Sequence, residues 1–489
     1  MEVYLKHLEW ESLPTDCVID IVKSPDFLTG CTESVRIERG ENYELSGTVI
    51  GKYNTRVTGP PQDERPGATV VPFKITGSDR YDQWDFEVQD CYLAGGSDRL
   101  TLNSDEVYIL TSKPRLRCSS VFYDARSELP TCWLTEWFLN APPGNRYSSR
   151  RTSRKSYSHY ERTRKIGTET RTFQTGGGTS DKLDYCIISK QDLKFILHAV
   201  PDELGPSWCY KLGIEYRSEF GRIPGEAERE SISEIVSFVL GRQLLSVGYT
   251  EFSETGGILR TKAKSPWGNA RSVSALSWSE PVRLKPHDAT ETPEATLTQV
   301  ASNYLQKRDS LHMNEALWRY WLAESLPIGT SIPLLANAIE ILAGAWFKSN
   351  NSKSKGVYLD RARWDSLVST EFRNIKGQLK GEQYVDRIMN RLGNCNAMGT
   401  NERLDFFFDE IELTVGKEER DAISARNKMI HSSFASNADT MNEISRLTDL
   451  YKTLFHRVFL KLLGYTGTYV DYSVIGWPSI PLDQTPGTP

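Results

Sequence analysis

The chain has 489 residues, which is enough for two or three domains that each bury a full hydrophobic core. Hydrophobic residues make up 38% and charged residues 25%, a composition typical of a globular protein rather than a disordered or membrane-embedded one. The formal net charge of -5 excludes a polybasic nucleic-acid binder, so any contact with RNA must come from a local basic patch.

The beginning of the chain and its cysteines favour a cytoplasmic protein. Residues 1–7 contain no basic region followed by a long apolar run, and no stretch of the chain approaches the length of a bilayer span. The 8 cysteines form no Cys-x-x-Cys pair and have no histidine at ligand spacing, which favours reduced thiols over disulfides or a zinc site. We therefore predict a cytoplasmic location, no membrane contact, no bound metal and no cofactor.

Residues 1–280 are predicted to form a β-rich region. Short runs that alternate in hydropathy or carry β-branched residues recur, with Gly-, Pro- and Asp-containing turns between them. These runs lie at 43–50, 69–75, 86–93, 107–110, 184–188, 193–197 and 210–216. A single helix is predicted at 226–245, because its apolar residues recur at three- and four-residue steps. The spacing of the strands favours a sandwich or a barrel-like fold, in one domain or two subdomains.

A basic segment at 144–181 interrupts this region and is predicted to be a long, flexible surface loop. Arginine and lysine crowd there among Ser, Thr and Gly, and only Glu161 and Glu169 oppose them before Asp181. Basic and aromatic side chains together suit RNA, since charges bind phosphates and rings stack on bases. The candidate RNA-binding residues are Arg150, Arg151, Arg154, Lys155, Tyr157 and Tyr160. The alternative is a solvated loop that its own charge keeps disordered.

The rest of the chain is predicted to be helical, which makes the fold class α+β and multidomain. A Pro-containing linker at 281–293 is followed by a helical domain at 294–465 and a C-terminal tail at 466–489, extended or disordered. Helical periodicity places helices near 294–307, 312–325, 331–348, 360–379, 381–393, 401–414, 417–433 and 438–463.

The helix predicted at 417–433 carries the most informative motif of the chain, Arg426-Asn427-Lys428-Met429-Ile430-His431. Asn427 and His431 are four residues apart, so on a helix they are turned only about 40° from each other and share a face. Arg426 starts about 140° from His431, but its long stem can bring the guanidinium back toward the imidazole. The motif thus gathers a permanent cation, an amide and a titratable imidazole.

These three side chains suit attack on an RNA phosphodiester without a metal. Cleavage needs a base for the 2′-hydroxyl proton, an acid for the departing 5′-oxygen and a cation for the charge that develops on the phosphorane. His431 can serve as acid or base because an imidazole titrates near pH 6.5. Arg426 can bind the non-bridging oxygens in a bidentate manner. Asn427 can orient the imidazole or bond a phosphate oxygen.

The motif resembles the signature of the HEPN superfamily, many of whose members are ribonucleases. The family form is Arg, then Asn, Asp or His, then three residues, then His, near the start of a helix late in a helical bundle. Upstream, the apolar run 332–342 with Glu340, followed by 345–347, resembles the first long helix of ApeA-like HEPN domains. The resemblance covers residues 300–465 and extends faintly to 232–241. Glu340 can support the site, neutralise Arg426 or pair with another basic residue.

The resemblance implies an activity and partners. It implies a metal-independent endoribonuclease that leaves a 2′,3′-cyclic phosphate and acts on cellular RNA, either tRNA or another structured or single-stranded RNA. It also implies a homodimer formed through the helical domain, a role in antiphage defence by stopping growth of the infected cell, and a phage-derived trigger. The β-rich region is then a sensor or gate. The alternative is a non-catalytic HEPN dimerisation module whose β-rich region recognises a nucleic acid or a phage component.

Two further alternatives concern the motif itself. Arg426 can be an ordinary ion-pair residue, with Glu418, Glu419 and Asp421 available on the same helix, and His431 and Asn427 can be solvated helix residues. Arg154 and His159 repeat the spacing of Arg426 and His431. That second pair lies in a Ser- and Arg-rich segment with no helical apolar pattern, so it is not predicted to be a catalytic site.

Overall fold

A computed structural model describes most of the chain. The described residues are 17–25, 33–50, 71–79, 84–102, 108–143, 147–155, 160–166, 169–175, 179–190, 192–200, 205–266, 268, 270–276, 279–284, 293–327, 329–349, 356–431 and 438–487. Within some of these ranges the description extends to the backbone alone.

Strands dominate the first half of the chain, as predicted, and two further short strands lie near the C-terminus. They are β1 (Cys17–Lys23), β2 (Ser34–Arg39), β3 (Leu45–Ile50), β4 (Phe73–Ser78), β5 (Asp85–Leu102), β6 (Tyr108–Cys118), β7 (Ser120–Asp124), β8 (Trp133–Ala141), β9 (Arg150–Lys155), β10 (Tyr160–Ile166), β11 (Glu169–Thr175), β12 (Thr179–Lys190), β13 (Leu193–Ala199), β14 (Tyr210–Arg217), β15 (Leu245–Phe252), β16 (Ile258–Lys264), β17 (Thr468–Val470) and β18 (Ser479–Pro481).

Most of these strands belong to one antiparallel sheet with the spatial order β4-β1-β2-β3-β6-β5-β7-β16-β15-β8-β14-β13-β12-β9. Because β5 also pairs with β4, the strands from β4 to β5 in this order close into a ring. Leu45 and Val49 of β3 point into the ring and pack with Val35, Ile37 and Leu116. The β-rich region is therefore confirmed. Of the two predicted architectures, a sandwich and a barrel-like fold, its first part has the barrel-like one.

β8 lies at the centre of the second part of the sheet. Residues 134–141 are buried, because β14 and β15 pair with the two edges of β8. A helix at Glu226–Leu240 packs against this part, and its Arg229 forms a buried ion pair of 3.1 Å with Glu136 of β8. The hydroxyl of Tyr216 also donates to Glu136, so the carboxylate keeps hydrogen bonds inside the core.

Helices dominate the second half, and their bounds agree closely with the helical periodicity of the sequence. The helices are α1 (Glu226–Leu240), α2 (Ala270–Ser274), α3 (Pro293–Lys307), α4 (Met313–Glu324), α5 (Ile332–Ser349), α6 (Arg361–Gln378), α7 (Val385–Gly393), α8 (Thr400–Glu410), α9 (Lys417–His431) and α10 (Ala438–Leu462). The C-terminal helical region is therefore confirmed.

One hydrophobic core joins the helices to the second part of the sheet. Phe238 of α1 packs against Phe459 of α10, with ring centroids 4.4 Å apart. Val282 and Leu284 are buried in the same core, so the first residues of the predicted linker 281–293 are packed. Residues 285–292 of that segment lie outside the described residues. The β-rich region and the helices are thus in direct apolar contact.

The prediction of a flexible loop at 144–181 is wrong. Most of its described backbone lies in β9, β10, β11 and the start of β12, where β9 pairs with β12 and β10 pairs with β11. The composition was misleading for two reasons. Strands pair through backbone hydrogen bonds, which charged side chains also permit, and threonine favours strands. β12 also pairs with β13, and this pairing holds β12 in the sheet, where β9 can pair with it.

The tail at 466–489, which the sequence predicts to be extended or disordered, is extended and packed in its described residues, which end at Gly487. β17 pairs with β18, and Tyr469 and Asp471 are fully buried. Tyr469 lies under the guanidinium of Arg457 on α10, 5.2 Å from its ring centroid. The tail folds because the helical core supplies apolar and cationic partners that its own short sequence lacks.

A buried histidine makes the stability of the helical region depend on pH. His456 of α10 is fully buried, with Nε2 2.9 Å from the hydroxyl of Tyr320. Burial and the charge of Lys452 hold its pKa well below 6.5. Below about pH 6.5 the unfolded chain therefore takes up a proton that the folded protein does not bind. We expect the free energy of unfolding to fall from that pH downward, by up to about 1.4 kcal/mol per pH unit.

Urea unfolding of the wild type and of His456→Gln between about pH 7.5 and pH 5.5 tests this expectation. Glutamine does not titrate, so the variant should lose less stability than the wild type over this range, whatever its stability at the higher pH. Equal losses in the two proteins would contradict the assignment of the pH dependence to His456.

Candidate active site

The motif lies on α9, in the last residues of this helix that the structure describes. Glu419 caps the first turn by accepting a hydrogen bond of 2.8 Å from the backbone N–H of Gly416. Asn427 and His431 lie on the last turns, four residues apart, so the backbone places them on one face as predicted. Their side chains lie outside the described part of the structure.

Arg426 is held by a carboxylate from another helix. Its Nη1 donates to Oε1 of Glu340 on α5, a residue 86 positions earlier in the chain. The side chain of Arg426 is 15% exposed and that of Glu340 is 32% exposed. Of the roles that the sequence leaves open for Glu340, the structure shows the pairing with Arg426. This contact brings together two of the predicted site residues and ties α9 to α5.

The acidic residues near the start of α9 have partners on α10. Glu418 lies 3.2 Å from Arg446, and Glu419 lies 2.5 Å from Arg457. Neither carboxylate therefore supplies the partner of Arg426, and the alternative of an ion pair within α9 is not observed for them.

The ion pair of Glu419 and Arg457 anchors the beginning of the motif helix. The side chains are 1% and 0% exposed, and Nη2 of Arg457 also donates to the carbonyl oxygens of Thr414 and Leu482. The guanidinium thus joins α9, α10 and the C-terminal segment. Arg457 was not among the predicted site residues, although an arginine inside the apolar stripe of α10 is a signal that could have been used.

Arg426 also acts electrostatically on α10. Burial raises the pKa of Tyr451, and the positive charge of Arg426 opposes that rise. The predicted site is therefore bordered by α5, α9 and α10.

A small cleft lies beside the ion pair of Arg426 and Glu340. It has a volume of about 90 Å³ and is lined by Glu340, Ala343, Thr400, Arg403 and Leu404. Arg403 belongs to α8 and was not among the predicted site residues. Its proximity to Glu340 arises from the packing of α8 on α5, which no local pattern in the sequence encodes.

The arrangement can support the chemistry expected of the motif. Arg426 offers several N–H donors in one plane, and the bond from Nη1 to Glu340 restricts the orientation of that plane. His431 lies five residues further along the same helix, and its side chain is not among those that the structure describes. Catalytic roles for Arg426, Asn427 and His431 stay predictions.

The predicted RNA-binding residues that the structure describes lie on β9 and β10, away from the motif in sequence. Arg150 of β9 forms an ion pair of 2.9 Å with Glu294 of α3, and the backbone N–H of Ile187 donates to the same carboxylate. Burial opposes ionisation of Glu294, but the bonds from Arg150 and Ile187 leave its pKa lowered. Arg151 is exposed. Arg150 therefore links the sheet to the first helix of the helical region.

The other members of that set are described less fully. Arg154 and Lys155 lie on β9 and Tyr160 lies on β10, with side chains outside the described part of the structure. Tyr157 and His159 lie outside the described residues. Because Arg154 is on a strand, the second Arg–His spacing does not lie on a helix.

The described part of the chain contains no group of three or more His, Cys, Asp or Glu residues placed to hold a metal ion. None of the helices in that part combines the length and the apolar character of a membrane span. No family model, curated protein or solved structure matches the chain. Membership of the HEPN superfamily therefore stays a prediction from the sequence motif.

Proposed function

We propose that the protein is a metal-independent endoribonuclease of the HEPN type. The observation that carries the proposal is the pairing of Arg426, on the motif helix, with Glu340 from a separate helix. A partly buried arginine that is oriented by a carboxylate, one turn from a histidine, is a suitable receptor for a scissile phosphate.

In the proposed reaction the 2′-oxygen of a ribose attacks the neighbouring phosphorus, and the bond from phosphorus to the 5′-oxygen breaks. His431 takes the proton of the 2′-hydroxyl or gives a proton to the departing 5′-oxygen. Arg426 stabilises the charge on the non-bridging oxygens, and Asn427 orients the imidazole or bonds a phosphate oxygen. The products are a 2′,3′-cyclic phosphate and a 5′-hydroxyl. Each chain contributes one motif histidine, so a homodimer supplies both acid and base.

The proposed biological role is antiphage defence, in which the β-rich region gates the nuclease in response to a phage-derived trigger. The family resemblance supports the role. Two contacts between the sheet and the helices support the gate: the continuous core of β8, α1 and α10, and the ion pair of Arg150 and Glu294. Through these contacts a conformational change in the sheet would be transmitted to the helices.

Incubation of the full-length protein with total RNA in excess EDTA tests the nuclease. We expect cleavage to persist under chelation, and the new 3′ ends to carry a cyclic phosphate. The pH–rate profile should show a limb near pH 6.5 from imidazole titration. A strict requirement for a divalent ion at the chemical step, or 3′-hydroxyl products, would contradict the mechanism.

The alternative is a dimerisation module whose β-rich region binds a nucleic acid or a phage component. In this alternative no reaction takes place at the motif, and the contact of Arg426 with Glu340 serves only to tie α9 to α5. RNA that stays intact with and without Mg²⁺ and with phage extract present, while the protein dimerises and binds, would favour this alternative over the nuclease.

A further inference from the structure

The cleft between α5 and α8 has the size and the charge of an anion subsite. Its volume of about 90 Å³ equals that of about three water molecules in the liquid. One wall is Glu340, the same carboxylate that bonds Arg426, and the other wall contains Arg403 and Thr400. The cleft therefore adjoins the arginine that is proposed to hold the scissile phosphate.

The stem of Arg403 is held firmly in place. Its guanidinium carbon lies 5.6 Å from the centroid of the Phe347 ring. The backbone of Gly356 passes so close that a Cβ at this position would lie 2.8 Å from Nε of Arg403. Gly356 also has a φ of +74°, which favours glycine. The position of the guanidinium at the cleft is thus set by packing on both sides.

The charge of Arg403 lacks a counter-ion in the described part of the structure. Its Nε is buried there without a hydrogen-bond partner, and no ion pair of 4 Å or less joins it to a described carboxylate. An arginine offers five N–H donors, and leaving buried donors unsatisfied is costly. Since Arg426 neutralises Glu340, Arg403 leaves the cleft with one net positive charge.

We propose that this cleft binds a backbone phosphate of RNA next to the scissile one, and that Arg403 is the residue that binds it. The inference rests on the proposed function and deepens it. A guanidinium over an aromatic ring, with a hydroxyl nearby, matches the planar, multidentate recognition that phosphate groups favour. Arg403 is a substrate-binding residue that acts on affinity and register, and it takes no part in proton transfer.

Fluorescence anisotropy with a labelled RNA oligonucleotide tests the binding role in full-length protein. Arg403→Gln keeps a stem that packs on Phe347 and removes the charge, whereas Arg403→Lys keeps the charge. We expect Arg403→Gln to weaken binding roughly tenfold and to lower the slope of log affinity against log salt by about one, with partial recovery in Arg403→Lys.

Arg420→Ala is the matched control. Arg420 is an exposed arginine of α9 that lies 3.5 Å from Asp405 of α8, so it contacts the same helix without lining the cleft. Arg420→Ala should bind RNA with the affinity and the salt slope of the wild type. Affinity and salt slope in Arg403→Gln equal to those of the wild type would overturn the proposal. The proposal would also be overturned if Arg403→Gln lost only the thermal stabilisation that inorganic phosphate gives to the wild type. That result would mean that the cleft binds free anions rather than RNA.

Cleavage of substrates of different length separates binding from structure. A dinucleoside monophosphate has only the scissile phosphate, so Arg403→Gln should cleave it at the wild-type rate, whereas KM for a longer oligonucleotide should rise about tenfold with kcat little changed. Equal losses on both substrates together with a lower Tm would show a structural role and overturn the proposal. If the wild type cleaves no RNA but Arg403→Gln still lowers affinity and salt slope, the proposed function fails and the phosphate subsite stands.

Discussion

Replacement of His431 or Arg426 by alanine is expected to reduce RNA cleavage by roughly 10²- to 10⁴-fold. His431→Ala removes the group that transfers protons, and Arg426→Ala removes the cation that stabilises the phosphorane. Arg426→Lys should recover only part of the rate, because an ammonium cannot bind two phosphate oxygens in one plane. Single-turnover cleavage of a labelled RNA measures these rates, and circular dichroism and sedimentation show whether fold and oligomeric state are unchanged.

The chain offers two controls for this experiment. Arg420→Ala changes an exposed arginine of the same helix, 57% exposed, and should leave the rate unchanged. Arg154→Ala combined with His159→Ala removes the second Arg–His spacing and should leave the chemical step intact, because Arg154 lies on β9. Cleavage at a near wild-type rate by either motif variant, or loss of the chemical step in the Arg154 and His159 double variant, would refute the assignment of the site.

Loss of the buried ion pair below the motif should have the largest effect on stability. Arg457→Ala leaves Glu419 buried without its cation and leaves the carbonyl oxygens of Thr414 and Leu482 without their donor. Removal of one member of a buried pair costs about 3–5 kcal/mol. We expect thermal unfolding of the helical region at a temperature lower by roughly 2–4 °C for each kcal/mol lost. Because Glu419 caps α9, the motif helix should also fray.

Arg446 is the matched control for Arg457. Both are arginines of α10 that pair with adjacent glutamates of α9, but the Arg446 side chain is 40% exposed and its partner Glu418 is 66% exposed. Arg446→Ala should therefore cost less than about 1 kcal/mol. Replacement of both Arg457 and Glu419 by apolar residues should recover much of the stability that Arg457→Ala loses. Similar costs for Arg457→Ala and Arg446→Ala would show that burial does not set the strength of these pairs.

The helices could be predicted from the sequence because each depends on a local pattern. α9 and α10 have apolar residues at helical spacing and a glycine at a boundary, so the predicted start of α9 at 417 and the predicted end of α10 at 463 lie within one residue of the observed Lys417 and Leu462. The motif on α9 could be placed for the same reason. Strands that alternate, such as β3 and β13, were also found.

β8 was missed because it does not alternate. Both of its edges pair with other strands and both of its faces are covered, so the consecutive residues Trp137, Phe138 and Leu139 are all buried and the strand lacks the period of an amphipathic one. The strands between 150 and 175 were missed for the opposite reason. Their basic and polar composition resembles that of a loop, and only the neighbouring strands make pairing favourable.

The sequence by itself determined the helices, the β-rich first half and the spacing of Arg426, Asn427 and His431 on one helix, because these depend on contacts between near neighbours in the chain. Only the tertiary structure decided which residues of other elements contact the motif helix. Glu340 meets Arg426 across 86 positions, Arg457 meets Glu419 across 38, and Arg403 reaches the cleft through the packing of α8 on α5. Contacts of this kind follow from how helices pack as bodies, and no local periodicity encodes their partners.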